Sequence, residues 1–418
     1  MPEFQTSPGT RDILPPESTR FRELVRIFAD VVAPAGYGEI IPPMFEDLGV
    51  FHRLGEATDV VTKEMYDFVD KGGRHIALRP EQTASVVRAF VQHSPLVPWK
   101  VWYAGPNFRY EKPQLGRYRQ FDQVGVEVLG ADDPYVDVEV IALAWQFYER
   151  LGLRRVTLLL NSLGNPDERR RYVDALAAHF TANADALSAE SRVTLQRNPL
   201  RVLDSKREQD AALIEEAPRI SAFWSDDTAA HFETVCAGLQ ALGVPFTLAP
   251  RLVRGLDYYR RTTFEFVSGA LEGAQNAVGG GGRYDGLAED LGGAPTPGIG
   301  FALGIDRTLL ACDLEGVFAP PDLGPHVFVV DTTGGGQALV VTNELRAAGL
   351  RADRAFENRS MKSQMKAADR SGASIAVIIG TNERDTDTVV VRPLRDGGEQ
   401  TVIPRVALLD TVRKHLEP

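Results

Sequence analysis

Hydrophobic and polar positions alternate with period two along residues 121–128. Asp122, Val124, Val126 and Val128 fall on one face of a strand, and Phe121, Gln123, Gly125 and Glu127 fall on the other. A strand with one wet face scatters charges there. This one sets an amide, a gap and a carboxylate in a row, with Gly125 leaving space above the backbone. Upstream, an aromatic strand-like run (Val101, Trp102, Tyr103, Phe108) ends at Arg109, and the connecting loop carries Lys112, Arg117 and Arg119 against Glu111. The pair predicts a β-hairpin. Its alternation fits a hairpin with a solvated loop as well as it fits a cleft for a small amphoteric ligand plus a polyphosphate.

Elsewhere the period lengthens. Residues 18–32 predict an amphipathic helix, residues 79–91 (RPEQTASVVRAFV) a turn feeding a helix with Thr83 near its start, and residues 136–151 a long helix. Residues 37–43 (YGEIIPP) predict a strand stopped by two prolines. From about 165 to 242 the pattern is helical throughout and reads as an inserted helical module. Strand character returns at 246–267, followed by a glycine cluster and a helix start over 298–311. A proline-rich linker at 316–324 (GVFAPPDLG) precedes a small α/β domain: strand 326–330, helix 336–348, basic helix 360–371, and strands 374–379 and 388–392.

Composition narrows the class. With 418 residues, 44% hydrophobic and 25% charged, the chain is long enough for two or three globular domains. No 18-residue apolar run is present, so no membrane span is expected, and the start MPEFQTSPGTRDILPP lacks a basic-then-apolar secretory pattern. Two separated cysteines in apolar contexts, Cys236 and Cys312, fit a reducing cytoplasm. A net charge of −11 argues against a protein that coats nucleic acid. Three basic islands remain, at 109–119, 192–207 and 346–370; each fits a solvated face, and together they fit site-directed phosphate contact.

Three further segments carry chemistry. RLVRGLDYYRRTTFEF (251–266) places an arginine beside a glycine, so the backbone can turn while a planar, permanently charged guanidinium points into a cleft; Tyr258 and Tyr259 follow as an aromatic wall, or as a packed edge pair. VGGGGRYDGL (278–287) has four consecutive glycines, which permit close approach to a ligand, although a turn is the plainer reading. It is neither a P-loop nor a dinucleotide fingerprint. GIGFALGIDRTL (298–309) reads as a helix packed closely on a sheet, with Asp306–Arg307 at the junction.

Together these segments resemble the histidyl-tRNA synthetases, class II aminoacyl-tRNA synthetases. The resemblance runs from GTRDILP (9–15) to the C-terminal domain. Residues 37–43, with Pro43, resemble the first class motif at a dimer interface; FRYEKPQLGRYRQFDQVGVEVLG resembles the second and GFALGIDR the third, with Arg109 and Arg307 as their arginines. RGLDYY and GGGGRYDG resemble the two histidine-specific signatures, and NPLRVLDSK (198–206) a segment of the family's helical insertion. No HIGH tetrapeptide occurs, and SMKSQMK (360–366) lies in the wrong domain for the class I lysine loop.

The resemblance implies a six-stranded antiparallel catalytic core over 1–324, interrupted by the insertion at about 165–242, and an α/β anticodon-binding domain over 325–418. It implies ligation of L-histidine to tRNA(His) through histidyl-adenylate, with ATP as substrate, magnesium carried on its phosphates, no protein metal cage, and a cytoplasmic homodimer. Glu81 and Thr83 would hold the α-ammonium of histidine. Arg109 would bind its carboxylate and the ATP α-phosphate, with Gln123 in the same region, while Glu127 and Tyr258 read the imidazole beside Tyr259. Arg254 would stabilise the phosphorane electrostatically, Glu111, Arg117 and Phe121 would frame ATP, and Arg307 would clamp the γ-phosphate or stack on adenine. Lys362, Lys366 and Arg370 at helical spacing would meet a tRNA backbone. Gln82, Asp122 and Asp306 depart from the usual glycine, histidine and glutamate. The alternative is a regulatory paralogue, the accessory subunit of ATP phosphoribosyltransferase; such paralogues typically lack the C-terminal domain and RGLDYY, both present here.

Overall fold

The predicted hairpin forms and joins the large sheet of the first unit. Trp99–Phe108 and Gln120–Leu129 pair antiparallel from Trp99↔Leu129 to Phe108↔Gln120. The computed structural model describes residues 4–53, 63–256, 258–271, 276–357, 359–395 and 397–416. Two compact units divide the chain, Met1–Pro320 and Pro321–Pro418.

In the first unit the hairpin belongs to an eight-stranded sheet in the order Gly38–Glu39, Trp99–Phe108, Gln120–Leu129, Gly298–Gly304, Ala277–Arg283, Arg260–Ser268, Val156–Ser162, Phe246–Leu248. The six central strands are antiparallel, as expected. Each edge adds a short parallel strand that the six-stranded expectation lacks. The strand expected over 37–43 shrinks to Gly38–Glu39; Pro42 and Pro43 leave the ladder, and their carbonyls accept from the Arg79 guanidinium at 2.8 and 3.3 Å.

Two expectations are corrected here. The glycine run is a strand, Ala277–Arg283, not a turn, because bonded strands flank it on both sides. Residues 298–304 are likewise a strand, and the helix begins at Ile305 (Ile305–Glu315). In both cases the small residues serve strand-to-strand crowding. A Cβ at Gly281 would overlap the Gly300 carbonyl.

The period-two pattern divides two cores. Val124, Val126 and Val128 face a large cluster with the helices Glu17–Val32, Pro134–Arg150 and Asp226–Ala241, in which Phe28 meets Trp102, Phe147 and Phe301 edge-on at 6.0, 5.3 and 6.1 Å. The opposite face packs Tyr103, Tyr258, Tyr259 and Tyr284 against the helix Thr83–His93.

Residues 165–242 are helical without a strand, and part of this stretch has its own core: Tyr172, Leu176, Phe180, Leu200, Val202 and Ile220 pack together. A buried carboxylate fastens it. Asp210 accepts from the Ser188 N–H (2.7 Å) and from the hydroxyls of Ser188 (2.9 Å), Ser191 (2.6 Å) and Ser205 (2.6 Å). Burial would raise its pKa, but these donors outweigh burial and pull it down to about 2. A depressed carboxylate contributes stability above its unfolded pKa and loses it as pH falls through the folded value. Asp210→Asn is therefore expected to cost about 2–3 kcal/mol at neutral pH. Urea unfolding should show the gap to wild type closing as pH falls from about 4 towards 2. An equal gap at both ends of that range would refute the assignment.

The second unit is a five-stranded sheet in the order Ala352–Arg354, Val327–Asp331, Ile375–Ile379, Thr388–Pro393, Thr401–Pro404, with the first three strands parallel and the last two antiparallel. Its two outer strands and the final helix Leu408–Leu416 were not expected. Leu345 and Val412 pack on one face, Ala368 and Met365 on the other. No helix among the described residues is long and apolar enough to cross a membrane.

Candidate active site

The Tyr103 face of the large sheet carries a cavity of about 250 Å³. Eleven of the twelve candidate residues line it: Glu81, Thr83, Arg109, Glu111, Arg117, Phe121, Gln123, Arg254, Tyr258, Tyr259 and Arg307. The twelfth, Glu127, lies behind the wall, fully buried.

Glu81 closes the N-terminus of Thr83–His93, where Gln82 offers no side-chain cap. Its two carboxylate oxygens accept from the N–H groups of Thr83 (2.7 Å) and Ala84 (2.8 Å). Each oxygen keeps a further lone pair for a ligand cation. The Thr83 hydroxyl donates to Glu127 Oε1 at 2.7 Å, so it remains free to accept from the same cation.

Glu127 has three hydroxyl donors. Thr83 and Tyr103 (3.2 Å) reach Oε1, and Tyr284 reaches Oε2 at 2.6 Å. Burial pushes its pKa to about 8, with the Tyr284 and Thr83 hydroxyls pulling the other way and Glu81 adding to the rise. A Cβ at Gly300, on the neighbouring strand, would overlap this carboxylate, which accounts for a glycine in GIGFALG. Tyr103 and Tyr284 are the site residues missed in the sequence; GGGGRYDG drew attention for its glycines, and its tyrosine was the usable signal.

The arginines are held differently. Arg109 donates from Nε to the Pro80 carbonyl (2.9 Å) and lies 5.3 Å from the Phe121 ring centroid. Arg117 pairs with Glu111. Arg307 donates to the Ala277 carbonyl at 2.9 Å, from the strand formed by the glycine run. Burial lowers the pKa of Arg109, Arg117 and Arg307, and mutual repulsion adds to it for the latter two; a phosphate entering among them relieves both costs. Arg254 pairs with Glu265, and its guanidinium lies 5.9 Å from the Tyr259 ring centroid, while its buried Nε has no partner among the described residues. A Cβ at Gly280 would stand 2.8 Å from that guanidinium, so the glycine run leaves the space Arg254 occupies. Asn107 donates to the Gln123 carbonyl at 2.9 Å, leaving the amide NH₂ for a ligand.

Asp122, for which the sequence offers no account, lines the cavity with Asp306. Burial and then Asp306 raise it to about 6. Arg11, from the GTRDILP segment, pairs with Asp306 at 2.5 Å and stacks on Tyr118 at 4.4 Å.

Comparison with known proteins agrees with this geometry. The family model described as Histidyl-tRNA synthetase matches residues 9–308, and that described as Anticodon binding domain matches residues 326–415. A histidine–tRNA ligase of Geobacillus kaustophilus is 47% identical over 409 residues, 96% of each chain. One of Rhodococcus erythropolis is 48% identical over 405 residues, covering 96% of this chain and 95% of the relative. Among solved structures, apo histidyl-tRNA synthetase of Staphylococcus aureus matches with a TM-score of 0.83 and 37% identity, over 98% of this chain and 100% of the other. A Bacillus halodurans protein described as an ATP phosphoribosyltransferase regulatory subunit/histidyl-tRNA synthetase shares the fold at a TM-score of 0.66 and 19% identity, over 90% of this chain and 98% of its own. Motifs in the family's order, a cavity built from them and near-full-length relatives lead to one conclusion: the chain belongs to the histidyl-tRNA synthetase family.

Proposed function

We propose that the chain ligates L-histidine to tRNA(His) in two steps, working as a cytoplasmic homodimer with units divided as expected above. The observation that carries this reading is the convergence of four arginines, Glu81 and Tyr258 on one cavity. Glu81 and Thr83 take the α-ammonium, and Tyr258 with Glu127 takes the imidazole. Arg109 and Gln123 bring the histidine carboxylate against the α-phosphate of ATP, framed by Glu111, Arg117, Phe121 and Arg307. Holding nucleophile and phosphorus together removes much of the entropic cost of their encounter. The carboxylate oxygen bonds to phosphorus as pyrophosphate leaves, and Arg254 meets the charge that builds on the phosphoryl oxygens. Magnesium carried on the ATP phosphates would supply charge neutralisation, and Glu111, which lines the cavity with its Arg117 partner, would hold it or its waters. A 3′-terminal hydroxyl of the tRNA then takes the histidyl group from AMP. In the second unit, Lys362, Lys366, Arg370 and Arg392 line one cleft of about 710 Å³, which suits a tRNA phosphate backbone.

Amino-acid-dependent ATP–pyrophosphate exchange with all twenty amino acids tests this reading. Exchange with histidine alone is the expected result. A folded protein that exchanges with none moves the regulatory paralogue, which keeps the fold without the chemistry, to first place.

A further inference from the structure

The segment carrying Arg254 has no regular structure of its own. It connects the edge strand Phe246–Leu248 to the strand Arg260–Ser268, and its described residues 249–256 lie in neither helix nor strand. A guanidinium on such a loop is only as well placed as the contacts that hold the loop. The sheet supplies three: Asn161 donates to the Leu252 carbonyl at 3.1 Å, the Ala249 N–H donates to the Leu160 carbonyl at 2.9 Å, and Glu265 pairs with the Arg254 guanidinium itself.

The other anchors come from the helical module. Arg201, in the turn of helix Pro199–Asp204, donates to the Gly255 carbonyl at 2.5 Å, one residue from Arg254. Its other terminal nitrogen pairs with Asp204 at 3.2 Å, which fixes the fork. Arg251 bonds to the carboxylate (2.8 Å) and backbone carbonyl (2.5 Å) of Glu215, in the module's helix Glu208–Glu216. Between these bonds Val253 packs both into the module's core, with Leu200 and Val202, and against the cluster of Tyr258 and Tyr259.

We propose that Arg201, in the NPLRVLDSK segment, is a positioning residue for Arg254, through which the helical module sets the rate of adenylate formation. The inference rests on the role given to Arg254 above. Loss of the Gly255 bond frees the backbone beside Arg254, where among the described residues the sheet holds the side chain through Glu265 but no backbone atom of residues 253–256. Histidine binding is affected less than the rate, because Glu81, Thr83 and Glu127 sit on other elements and only Tyr258 and Tyr259 share the loop.

Pyrophosphate exchange on the full chain, with varied histidine and saturating ATP, tests this for wild type, Arg201→Ala, Arg201→Lys, Arg254→Ala and the Arg201→Ala/Arg254→Ala double variant, beside thermal melts. Arg201→Ala is expected to lower kcat about 10- to 30-fold, with a smaller rise in KM for histidine through Tyr258 and a melting temperature nearly unchanged, and Arg201→Lys to recover part of the loss. The double variant should be no slower than Arg254→Ala alone, since a positioning residue has nothing left to position. A further 10-fold loss in the double variant, or an unchanged kcat in Arg201→Ala, overturns the proposal while leaving the role of Arg254 intact. Near-normal exchange in Arg254→Ala overturns that role itself. Should Arg201→Ala not fold, Asp204→Asn, which loosens the fork but keeps the guanidinium, is expected to lower kcat about threefold; an unchanged kcat there overturns the proposal equally.

Discussion

Arg254→Ala is expected to lower histidine-dependent pyrophosphate exchange about 10³-fold in kcat, the loss of roughly 4 kcal/mol of transition-state stabilisation. The guanidinium is mostly buried, paired with Glu265 and lodged over Gly280, so little reorganisation is needed when charge develops on the phosphoryl group. Truncation also strands a carboxylate. Without Arg254, Glu265 is left as an uncompensated negative charge beside the place assigned to a triphosphate, which adds repulsion to the lost attraction. Arg254→Ala/Glu265→Gln should therefore regain about 10-fold over the single variant. Arg254→Lys should stay close to alanine, because an ammonium cannot keep Glu265 and meet two phosphoryl oxygens at once. Exchange within 10-fold of wild type in Arg254→Ala, measured at saturating substrates, would remove the arginine from the mechanism.

Much of this site was legible because its carriers are local. The alternation of residues 121–128 reports one face to one core and the other to the cavity: Val124, Val126 and Val128 lie among the helices, while Phe121 and Gln123 line the cavity; Asp122 departs from it by lining the cavity from the valine face. Glu81 and Thr83 could be placed because a helix start fixes their spacing. What was illegible depends on neighbours far along the chain. Residues 277–283 have too few side chains to show a period, and only pairing with 260–268 and 298–304 makes them a strand. The two hydroxyls missed at Glu127 come from Tyr103, one strand away, and Tyr284, which reaches across from the far side of the 298–304 strand; periodicity does not encode strand order. The same ignorance of sheet order hid the pairing of the edge strands: strand character was expected over 37–43 and 246–267, but only the ladder makes Gly38–Glu39 and Phe246–Leu248 short parallel edges beside Trp99–Phe108 and Val156–Ser162.

Glu127→Gln separates recognition from stability. The carboxylate is fully buried among three donors, and its pKa is raised to about 8, so in the free protein it binds a proton more tightly than the unfolded chain does. For an acid with a raised folded pKa, stability falls as pH climbs from the unfolded value, near 4.5, through the folded one, and levels above it. Glutamine cannot ionise and can still accept from Tyr284, while its NH₂ can donate to the Thr83 or Tyr103 hydroxyl once that hydroxyl turns. The variant is thus expected to match wild type near pH 5 and to become the more stable of the two by several kcal/mol as pH approaches 8. Recognition should move the opposite way. Glutamine gives the imidazole N–H no acceptor that can ionise as the ligand binds, a loss of about 1–2 kcal/mol that should appear as a rise in KM for histidine of roughly 5- to 30-fold, with a smaller fall in kcat. Thermal melts across that pH range and exchange at neutral pH measure both halves. If KM is unchanged while the stability gap opens as described, Glu127 is a buried wall residue that only orients Thr83, and the imidazole is read by Tyr258 and Gln123 alone.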